Sequence, residues 1–362
     1  MKKTACRILC LALCAALCLA VPAGCAEEPA ASRSGTRYLF DTVITVTVYD
    51  FYTDKYYRQT GRERPDLEAA LAGALDLCEH YDDLFSRTEA GSDVSRINAS
   101  AGQPVEVDPE TADLLQKTLS YSRLTDGAFD VTIAPASALW DFAADDPVLP
   151  DLAELAAAVE KVDYSRLEVD GNTVTLPAGC MVDLGGAAKG YIADRVGDYL
   201  ESQGVDCYLL NLGGNVLAAG GKADRAVDSP EALTPFAIGL RQPFGATSEL
   251  AGEAGIADGS VVTSGTYERC FTLDGRLYHH ILDPDTGYPV DNGLDSVTIF
   301  SEESADGDIL STSLFVLGPQ AGLALAESLE GVDALFLLSD GSRRMTSGLA
   351  EDADGDIRWQ PA

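Results

Sequence analysis

Basic residues are scarce in this sequence. The chain of 362 residues has 25 Lys and Arg side chains against 58 Asp and Glu, which gives a formal net charge of −33 at pH 7. A nucleic acid, whose phosphate backbone is also negative, would be repelled by such a surface, so we predict no nucleic-acid partner. The same balance favours a bound divalent cation, because carboxylates are oxygen ligands for hard cations.

Cysteine is also scarce once the N-terminus is left aside. Of nine cysteines, five lie within the first 25 residues, and the others are Cys78, Cys180, Cys207 and Cys270. These four are far apart in the chain and lie mostly within apolar patterns. We interpret them as small buried hydrophobic residues and exclude a disulfide-stabilised scaffold.

The first 24 residues have the pattern of an export signal. Lys2, Lys3 and Arg7 precede an apolar run over residues 8–21. That run is too short to cross a bilayer as a stable helix, and small residues follow it. We therefore predict a signal peptide over residues 1–24.

The residues after the signal indicate a lipid anchor. Ala-Gly-Cys25 is similar to the end of a bacterial lipobox, although Pro22 stands where that pattern has leucine. We predict that Cys25 is acylated and holds the protein on the extracytoplasmic face of the membrane, with residues 25–37 as a flexible tether and 38–362 as one domain. Secretion after simple signal cleavage is the alternative.

Histidine is rare, and two of the three histidines are adjacent. His279 and His280 end a segment in which outward and inward residues alternate on both sides of Asp274-Gly275-Arg276. An Asp-Gly pair between two such runs predicts a β-hairpin. His280 is therefore expected near the end of a strand, where reactive groups are usually displayed.

An acidic and a hydroxyl side chain follow on a predicted helix. Asp308 and Thr312 are four residues apart. Residues with this spacing share one helix face, so their oxygen atoms can hold one hard cation.

A glycine-rich segment from Asp183 to Tyr191 predicts a strand, a tight turn and the start of a helix. Glycines let the backbone approach a ligand closely, and a helix start presents free amides and a positive dipole to a phosphate. Lys189 adds a full positive charge there. The alternative is a plain tight turn, because the spacing matches neither common nucleotide-binding glycine motif.

Aromatic residues are concentrated between Gly127 and Phe142, together with the carboxylate Asp130 and several turn residues. Such a segment can form the lip of a pocket that stacks a planar ligand. It can equally form a corner of the hydrophobic core. The sequence leaves both interpretations open.

Taken jointly and in this order, eight segments resemble the successive motifs of one known family. They are Phe40-Asp-Thr42, Asp93-Val-Ser-Arg-Ile-Asn98, Gly127-Ala-Phe-Asp130-Val-Thr, Asp183-Leu-Gly-Gly-Ala-Ala-Lys189-Gly-Tyr, Asn211-Leu-Gly-Gly214, Thr263-Ser-Gly265-Thr-Tyr267, His280-Ile-Leu-Asp283-Pro-Asp-Thr-Gly287-Tyr-Pro and Asp308-Ile-Leu-Ser-Thr312. The sequence is similar to the ApbE family of FAD:protein FMN transferases over roughly Tyr38 to Gly318.

This resemblance implies a fold and a reaction. The expected fold is α+β and two-lobed, with mixed and antiparallel sheets flanked by helices and the FAD site between the lobes. The expected enzyme uses Mg²⁺ to cleave the pyrophosphate of FAD, passes FMN to a Thr or Ser hydroxyl of an acceptor flavoprotein, and releases AMP.

The resemblance also implies the site residues. Those expected to contact FAD are Phe40, Asn98, Ala128, Phe129, Asp130, Asp183, Lys189 and His280. Mg²⁺ would be held by the backbone carbonyl of Gly186 and the side chains of Asp308 and Thr312. Lys189 would act on the phosphates, and His280 would be the general base that takes the proton of the acceptor hydroxyl, since imidazole can do so near neutral pH. The alternative is that His280 only hydrogen-bonds the ligand.

Two other functions fit the same motifs. A Mg²⁺-dependent FAD pyrophosphatase would use water as the acceptor and release FMN and AMP. A non-catalytic lipoprotein would bind flavin without turnover. The motifs do not separate these alternatives from the transferase, and they do not identify the acceptor protein.

Overall fold

The computed structural model describes residues 30–246, 248–353 and 355–359. The predicted signal peptide over residues 1–24 and the predicted lipid anchor at Cys25 lie outside these ranges. The strands, in chain order, are β1 (Ala31–Leu39), β2 (Thr42–Asp50), β3 (Val105–Glu106), β4 (Glu168–Asp170), β5 (Thr173–Thr175), β6 (Cys207–Leu212), β7 (Asn215–Ala219), β8 (Phe236–Arg241), β9 (Leu250–Ile256), β10 (Gly259–Gly265), β11 (Cys270–Leu273), β12 (Arg276–His279), β13 (Leu294–Ser301), β14 (Val332–Leu338), β15 (Arg343–Met345), β16 (Leu349–Glu351) and β17 (Ile357–Trp359).

The helices flank these strands. In chain order they are α1 (Asp54–Thr60), α2 (Leu67–Phe85), α3 (Asp93–Asn98), α4 (Pro109–Leu124), α5 (Ala134–Ser137), α6 (Leu152–Val159), α7 (Ala188–Ser202) and α8 (Ser304–Ala326), with short 3-10 helices at Tyr164–Arg166 and Pro230–Ala232. Asp66 caps α2 by accepting hydrogen bonds from two backbone N–H groups of the first turn, as N-cap carboxylates do.

An eight-stranded sheet organises the domain, in the order β1-β2-β6-β7-β10-β13-β14-β15. Each neighbouring pair in it is antiparallel. Side chains of β13 alternate between two buried faces. Val297 and Ile299 pack with helix α8, while Phe300 packs with a smaller sheet that contains β8, β9 and β17. Burial on both faces explains why this strand is almost entirely apolar or small.

Three smaller sheets complete the structure. A four-stranded sheet, β16-β17-β9-β8, covers the second face of the central sheet, and its β17–β9 pair is parallel. The other two are β3-β5-β4 and the hairpin β11-β12. Helices α2, α7 and α8 cover the first face. This arrangement confirms the predicted α+β class with mixed and antiparallel sheets flanked by helices.

The start of the domain differs from the prediction. Strand β1 pairs with β2 along its whole length, from Ala31 opposite Asp50 to Leu39 opposite Thr42. The prediction of a flexible tether up to residue 37 is therefore wrong from residue 31 onward. The pattern failed here because β1 is a largely exposed edge strand whose polar side chains give no apolar alternation.

Helix α8 is unusually apolar. Of the helices in the part of the chain that the structure describes, it alone has the length and hydropathy of a membrane span. Here it packs against β10, β13 and β14 as a core helix. Its N-terminal half carries Asp308 and Thr312, and Gly318, with φ of 80°, bends it further along.

Candidate functional site

The crossing of helices α7 and α8 forms the centre of the site. A Cβ atom added at Gly190 would lie 2.3 Å from the carbonyl oxygen of Ser304 and 2.7 Å from the Cα of Ala305. The absence of a side chain at this position is what lets the two helix backbones approach so closely. At the crossing, the backbone N–H of Gly190 donates to Oδ2 of Asp308 at 3.0 Å.

The three predicted metal ligands lie together at this crossing. A Cβ at Gly186 would be 3.7 Å from Oγ1 of Thr312. Asp308 is one helical turn before Thr312 and is 4% exposed. Ser264 also contributes a hydroxyl, 3.3 Å from that of Thr312. Three segments, around Gly186, Ser264 and Asp308, thus bring a stretch of backbone, a carboxylate and two hydroxyl groups to one place.

This donor chemistry fits Mg²⁺. Hard divalent cations prefer oxygen ligands, and Mg²⁺ is usually held by one or two carboxylates with substrate phosphates completing its shell. Among the described residues, no group of three or more His, Cys, Asp and Glu side chains is placed to hold a metal. Asp308 is therefore the anionic ligand around which such a site would form.

Lys189 places a positive charge beside these donors. Its Nζ donates to the carbonyl oxygen of Gly185 at 3.1 Å and lies 3.6 Å from Oδ1 of Asp308. Lys189 is in the first turn of α7, and the residue that precedes this helix makes no side-chain capping bond. The helix dipole and the ammonium group together favour an anion such as a phosphate at this point.

Asn98 and Asp183 shape the turn that carries Gly186. The Asn98 amide clamps the backbone of Val182, accepting its N–H at 2.7 Å and donating to its carbonyl at 3.0 Å. Asp183 accepts the N–H of Gly185 at 2.9 Å and lies 3.2 Å from the Arg87 guanidinium. These bonds give both residues a positioning role, and their predicted contact with FAD stays a prediction.

Residues 128 to 130 lie next to the turn that carries Gly186. The Phe129 ring is buried, and a Cβ at Gly186 would be 3.2 Å from it. The Asp130 carboxylate is also buried and accepts three bonds: from the N–H and hydroxyl of Thr132 at 2.7 and 2.6 Å, and from the N–H of Tyr164 at 2.9 Å. Burial raises the pKa of Asp130. The Asp130 side chain therefore links the segment around Thr132 to Tyr164. Ala128, two residues before it, is half-buried.

Phe40 forms the tip of the β1–β2 hairpin. Phe40 and Asp41 have φ values of 52° and 56°, a left-handed conformation that is strained for a bulky residue. The N–H of Phe40 donates to Asp82 at 3.3 Å. Thr42 lies against Gly213, where a Cβ would be 2.4 Å from the threonine hydroxyl. This hairpin tip thus lies on the β6–β7 turn.

His280 directly follows β12, as the sequence predicts. The hairpin turns at Asp274-Gly275, both with positive φ. The backbone N–H of His280 donates to the carbonyl of Arg269 at 3.1 Å, and its ring Nδ1 is buried with no hydrogen-bond partner in the described ranges. Burial, then the positive charges of Arg269 and Lys189 among other neighbours, lowers the pKa of His280 to about 4. The imidazole is therefore neutral at neutral pH.

His279 has a different role. It is buried, Nε2–H donates to the carbonyl of Val290 at 2.9 Å, and Nδ1 accepts the N–H of Ile281 at 3.3 Å. Burial lowers the pKa of His279, which keeps the ring in this neutral state. Both ring nitrogens hold the segment that follows His280, so His279 is structural.

Glu268 lies near the site and is absent from the residues predicted from the sequence. Its Oε1 lies 3.6 Å from the position of a Cβ on Gly214. Burial and the negative charge of Asp308 raise the pKa of the Glu268 carboxyl. The positive charges of Lys189, Arg241 and Arg269 oppose this shift. Glu268 directly follows the segment from Thr263 to Tyr267, so extending that motif by one residue would have found it.

The aromatic segment after residue 130 belongs to the core. Trp140 is buried, donates from Nε1 to the carbonyl of Gly287 at 2.9 Å, and stacks on Phe142 with ring centroids 5.5 Å apart. Leu155 and Tyr278 belong to the same hydrophobic cluster as Trp140. The structure favours the core-corner interpretation here, and this corner supports the turn behind His280.

Comparisons with known proteins agree with this geometry. The family model described as "ApbE family" matches residues 40–336. A protein of Klebsiella pneumoniae named FAD:protein FMN transferase is 41% identical over 274 residues, which cover 75% of this chain and 82% of that protein. One of Treponema pallidum with the same name is 35% identical over 299 residues, covering 80% and 83%.

Solved structures show the same fold. The crystal structure of the ApbE protein from Thermotoga maritima has a TM-score of 0.76 at 29% identity and covers 88% of this chain and 97% of that one. The flavin transferase ApbE from Vibrio cholerae has a TM-score of 0.75 at 27% identity, covering 88% and 98%. The chain therefore belongs to the ApbE family.

Proposed function

We propose that the protein is a Mg²⁺-dependent FAD:protein FMN transferase that passes FMN to a Thr or Ser hydroxyl of an acceptor flavoprotein and releases AMP. The observation that carries the proposal is the meeting of Lys189 with the oxygen donors of Gly186, Asp308 and Thr312 at the crossing of α7 and α8. The names of the related proteins from Klebsiella and Treponema support it.

The site has the parts that transfer of a phosphoryl-linked group needs. The carbonyl of Gly186 and the side chains of Asp308 and Thr312 would hold Mg²⁺. When bound, the ion neutralises charge on the pyrophosphate oxygens. Lys189 binds the same phosphates with its ammonium group, which Asp308 and the Gly185 carbonyl hold in place.

His280 serves the acceptor hydroxyl. Its Nδ1 is buried, so Nε2 is the nitrogen that can receive the hydroxyl proton as the oxygen attacks phosphorus. With a pKa of about 4, the ring is neutral at neutral pH, so its unprotonated nitrogen can accept the proton.

The direct test is mass spectrometry of a purified acceptor flavoprotein after incubation with this protein, FAD and Mg²⁺. The proposal expects a covalent FMN adduct on a Thr or Ser and one AMP for each adduct. FMN and AMP released without any adduct would refute it in favour of the pyrophosphatase. FAD that stays intact under these conditions would refute it in favour of a flavin-binding protein.

The cellular location is a separate proposal. The basic and apolar pattern of residues 1–24 and the lipobox-like Ala-Gly-Cys25 support export and anchoring on the extracytoplasmic face of the membrane. Expression with labelled fatty acid tests it: the label should follow the wild-type chain into the membrane fraction and be lost in Cys25→Ala. An unlabelled wild-type chain in the soluble extracytoplasmic fraction would indicate simple secretion instead.

A further inference from the structure

Helix α8 is capped by a residue from another helix. Its own N-cap residue, Glu303, makes no side-chain capping bond. Instead, the two carboxylate oxygens of Asp194 on α7 accept the backbone N–H groups of Ser304 and Ala305 at 2.7 and 2.9 Å. A carboxylate at this position satisfies two otherwise unpaired donors and interacts favourably with the helix dipole.

This cap is aligned with the ion donors. Asp194 is four residues after Gly190, which is four residues after Gly186. On the opposing helix, Thr312, Asp308 and Ser304 are spaced in the same way, and the two sets run antiparallel. The successive contacts are Gly186 with Thr312, Gly190 with Asp308 and Asp194 with Ser304. On α8 one helical turn separates each contact from the next, while Gly186 lies in the turn two residues before α7.

From this alignment we infer that Asp194 is a positioning residue: it fixes how far α8 is displaced along α7, and thereby the distance between the ion donors on the two segments. The inference rests on the proposed function, because it concerns the Mg²⁺ site of that reaction. Asp194 itself touches neither the ion donors nor His280. Its action is transmitted by the rigid first turn of α8, which links Ser304 to Asp308.

The surroundings of Asp194 allow the charge to be removed. The charged groups around it include Asp113 and Lys117 of α4, Arg195 of its own helix and Glu303, which directly precedes α8. Lys117 bonds Glu303 at 2.6 Å. Asparagine has nearly the size and shape of aspartate, and burial raises the pKa of Asp194 to about 7. We therefore expect Asp194→Asn to fold. Its amide keeps one acceptor oxygen but turns N–H donors toward the second backbone N–H, so the paired cap is lost.

The experiment measures Mn²⁺ binding to the full chain with FAD present and no acceptor, from the electron paramagnetic resonance signal of the free ion. Asp194→Asn is compared with wild type and with Asp66→Asn. Asp66 is the control for an Asp-to-Asn change at a helix cap: one oxygen of its carboxylate accepts two backbone N–H groups, at 3.1 Å, and it caps only its own helix α2. FAD affinity without metal is measured in parallel by quenching of flavin fluorescence.

We expect Asp194→Asn to bind Mn²⁺ about 10- to 100-fold more weakly, the usual effect of losing a group that orients metal ligands, with FAD affinity unchanged. Asp66→Asn should bind Mn²⁺ as wild type does. Equal Mn²⁺ affinity in all three proteins would overturn the inference and leave Asp194 as an ordinary cap. Should Asp194→Asn fail to fold, Asp194→Glu, which keeps the charge but adds a methylene, is measured against the same two outcomes.

These results are separate from the fate of the proposed function. A wild-type protein that binds Mn²⁺ and FAD yet transfers no FMN refutes the transferase proposal alone. A wild-type protein that transfers FMN, with an Asp194→Asn variant of normal metal affinity, refutes only the positioning role.

Discussion

Substitution of Gly190 by alanine tests the helix crossing on which the site depends. The added Cβ would lie 2.3 Å from the carbonyl oxygen of Ser304, whereas ordinary contacts begin near 3.4 Å. The Cβ is fixed by the backbone of α7 and the carbonyl belongs to the backbone of α8, so no side-chain rotation can relieve the clash. The helices must separate by about 1 Å, which would move the proposed ion donors Gly186 and Asp308 apart.

The structure sets the size of two effects. Overpacking of this kind costs about 1–3 kcal/mol of unfolding free energy. For a domain of this length each kcal/mol lowers the melting temperature by about 2–4 °C. A displacement of about 1 Å between reacting groups reduces the rate about 100-fold. We therefore expect Gly190→Ala to fold with a melting temperature a few degrees lower and to lose about two orders of magnitude in kcat/KM for FMN transfer.

The assay is FMN transfer to an acceptor flavoprotein, followed by in-gel flavin fluorescence, together with differential scanning calorimetry. Gly255→Ala is the control, because a Cβ there meets only Pro235 at an ordinary 3.6 Å. The control should match wild type in both measurements. A Gly190→Ala protein with wild-type kcat/KM would refute the reasoning, since it would show that the ion donors tolerate a shifted crossing.

The other predictions concern single groups of the site. His280→Ala should lower FMN transfer about 100- to 10,000-fold, the usual contribution of a general base, while FAD affinity is kept; a variant that transfers normally would assign the proton to another group. Asp308→Asn should bring activity at saturating Mg²⁺ down to that of wild type in excess chelator, and a full response to Mg²⁺ would contradict its role as ligand. The pKa of folded His280 is about 4, below the 6.5 of a free histidine. The unfolded chain therefore binds more protons between these values, and stability should fall as pH drops from 6.5 to 4. His280→Asn should flatten that part of the urea-unfolding profile against pH, and an unchanged profile would contradict the lowered pKa.

Local patterns predicted the secondary structure around the candidate site well. The Asp-Gly turn placed the hairpin before His280, and the spacing of Asp308 and Thr312 placed both on one helix. These predictions succeed because turn geometry and helical periodicity are decided by residues close together in the chain. Strand β1 was missed for the opposite reason, since its polar edge strand is defined by pairing with β2 rather than by its own composition.

Local patterns could not predict which hydrogen-bond partners the polar side chains have. The contact of Asn98 and Asp130 with FAD stays a prediction from the resemblance, and the structure shows in addition that their side chains bond Val182, Thr132 and Tyr164. A side chain's partners depend on the tertiary fold, and the sequence gives no count of them. The neighbourhood of Glu268, with Lys189 and Asp308 on other elements, was hidden for the same reason.

The crossing of α7 and α8 also constrains the order in which the protein matures. Gly190 and Asp308 are 118 residues apart, so the proposed ion site would need both segments in place. Metal and nucleotide would be captured together only after this long loop has closed, and closing a long loop costs more entropy than forming local contacts. Bound ligands would then stabilise the finished fold against proteolysis, whereas partly folded chains would receive no such protection.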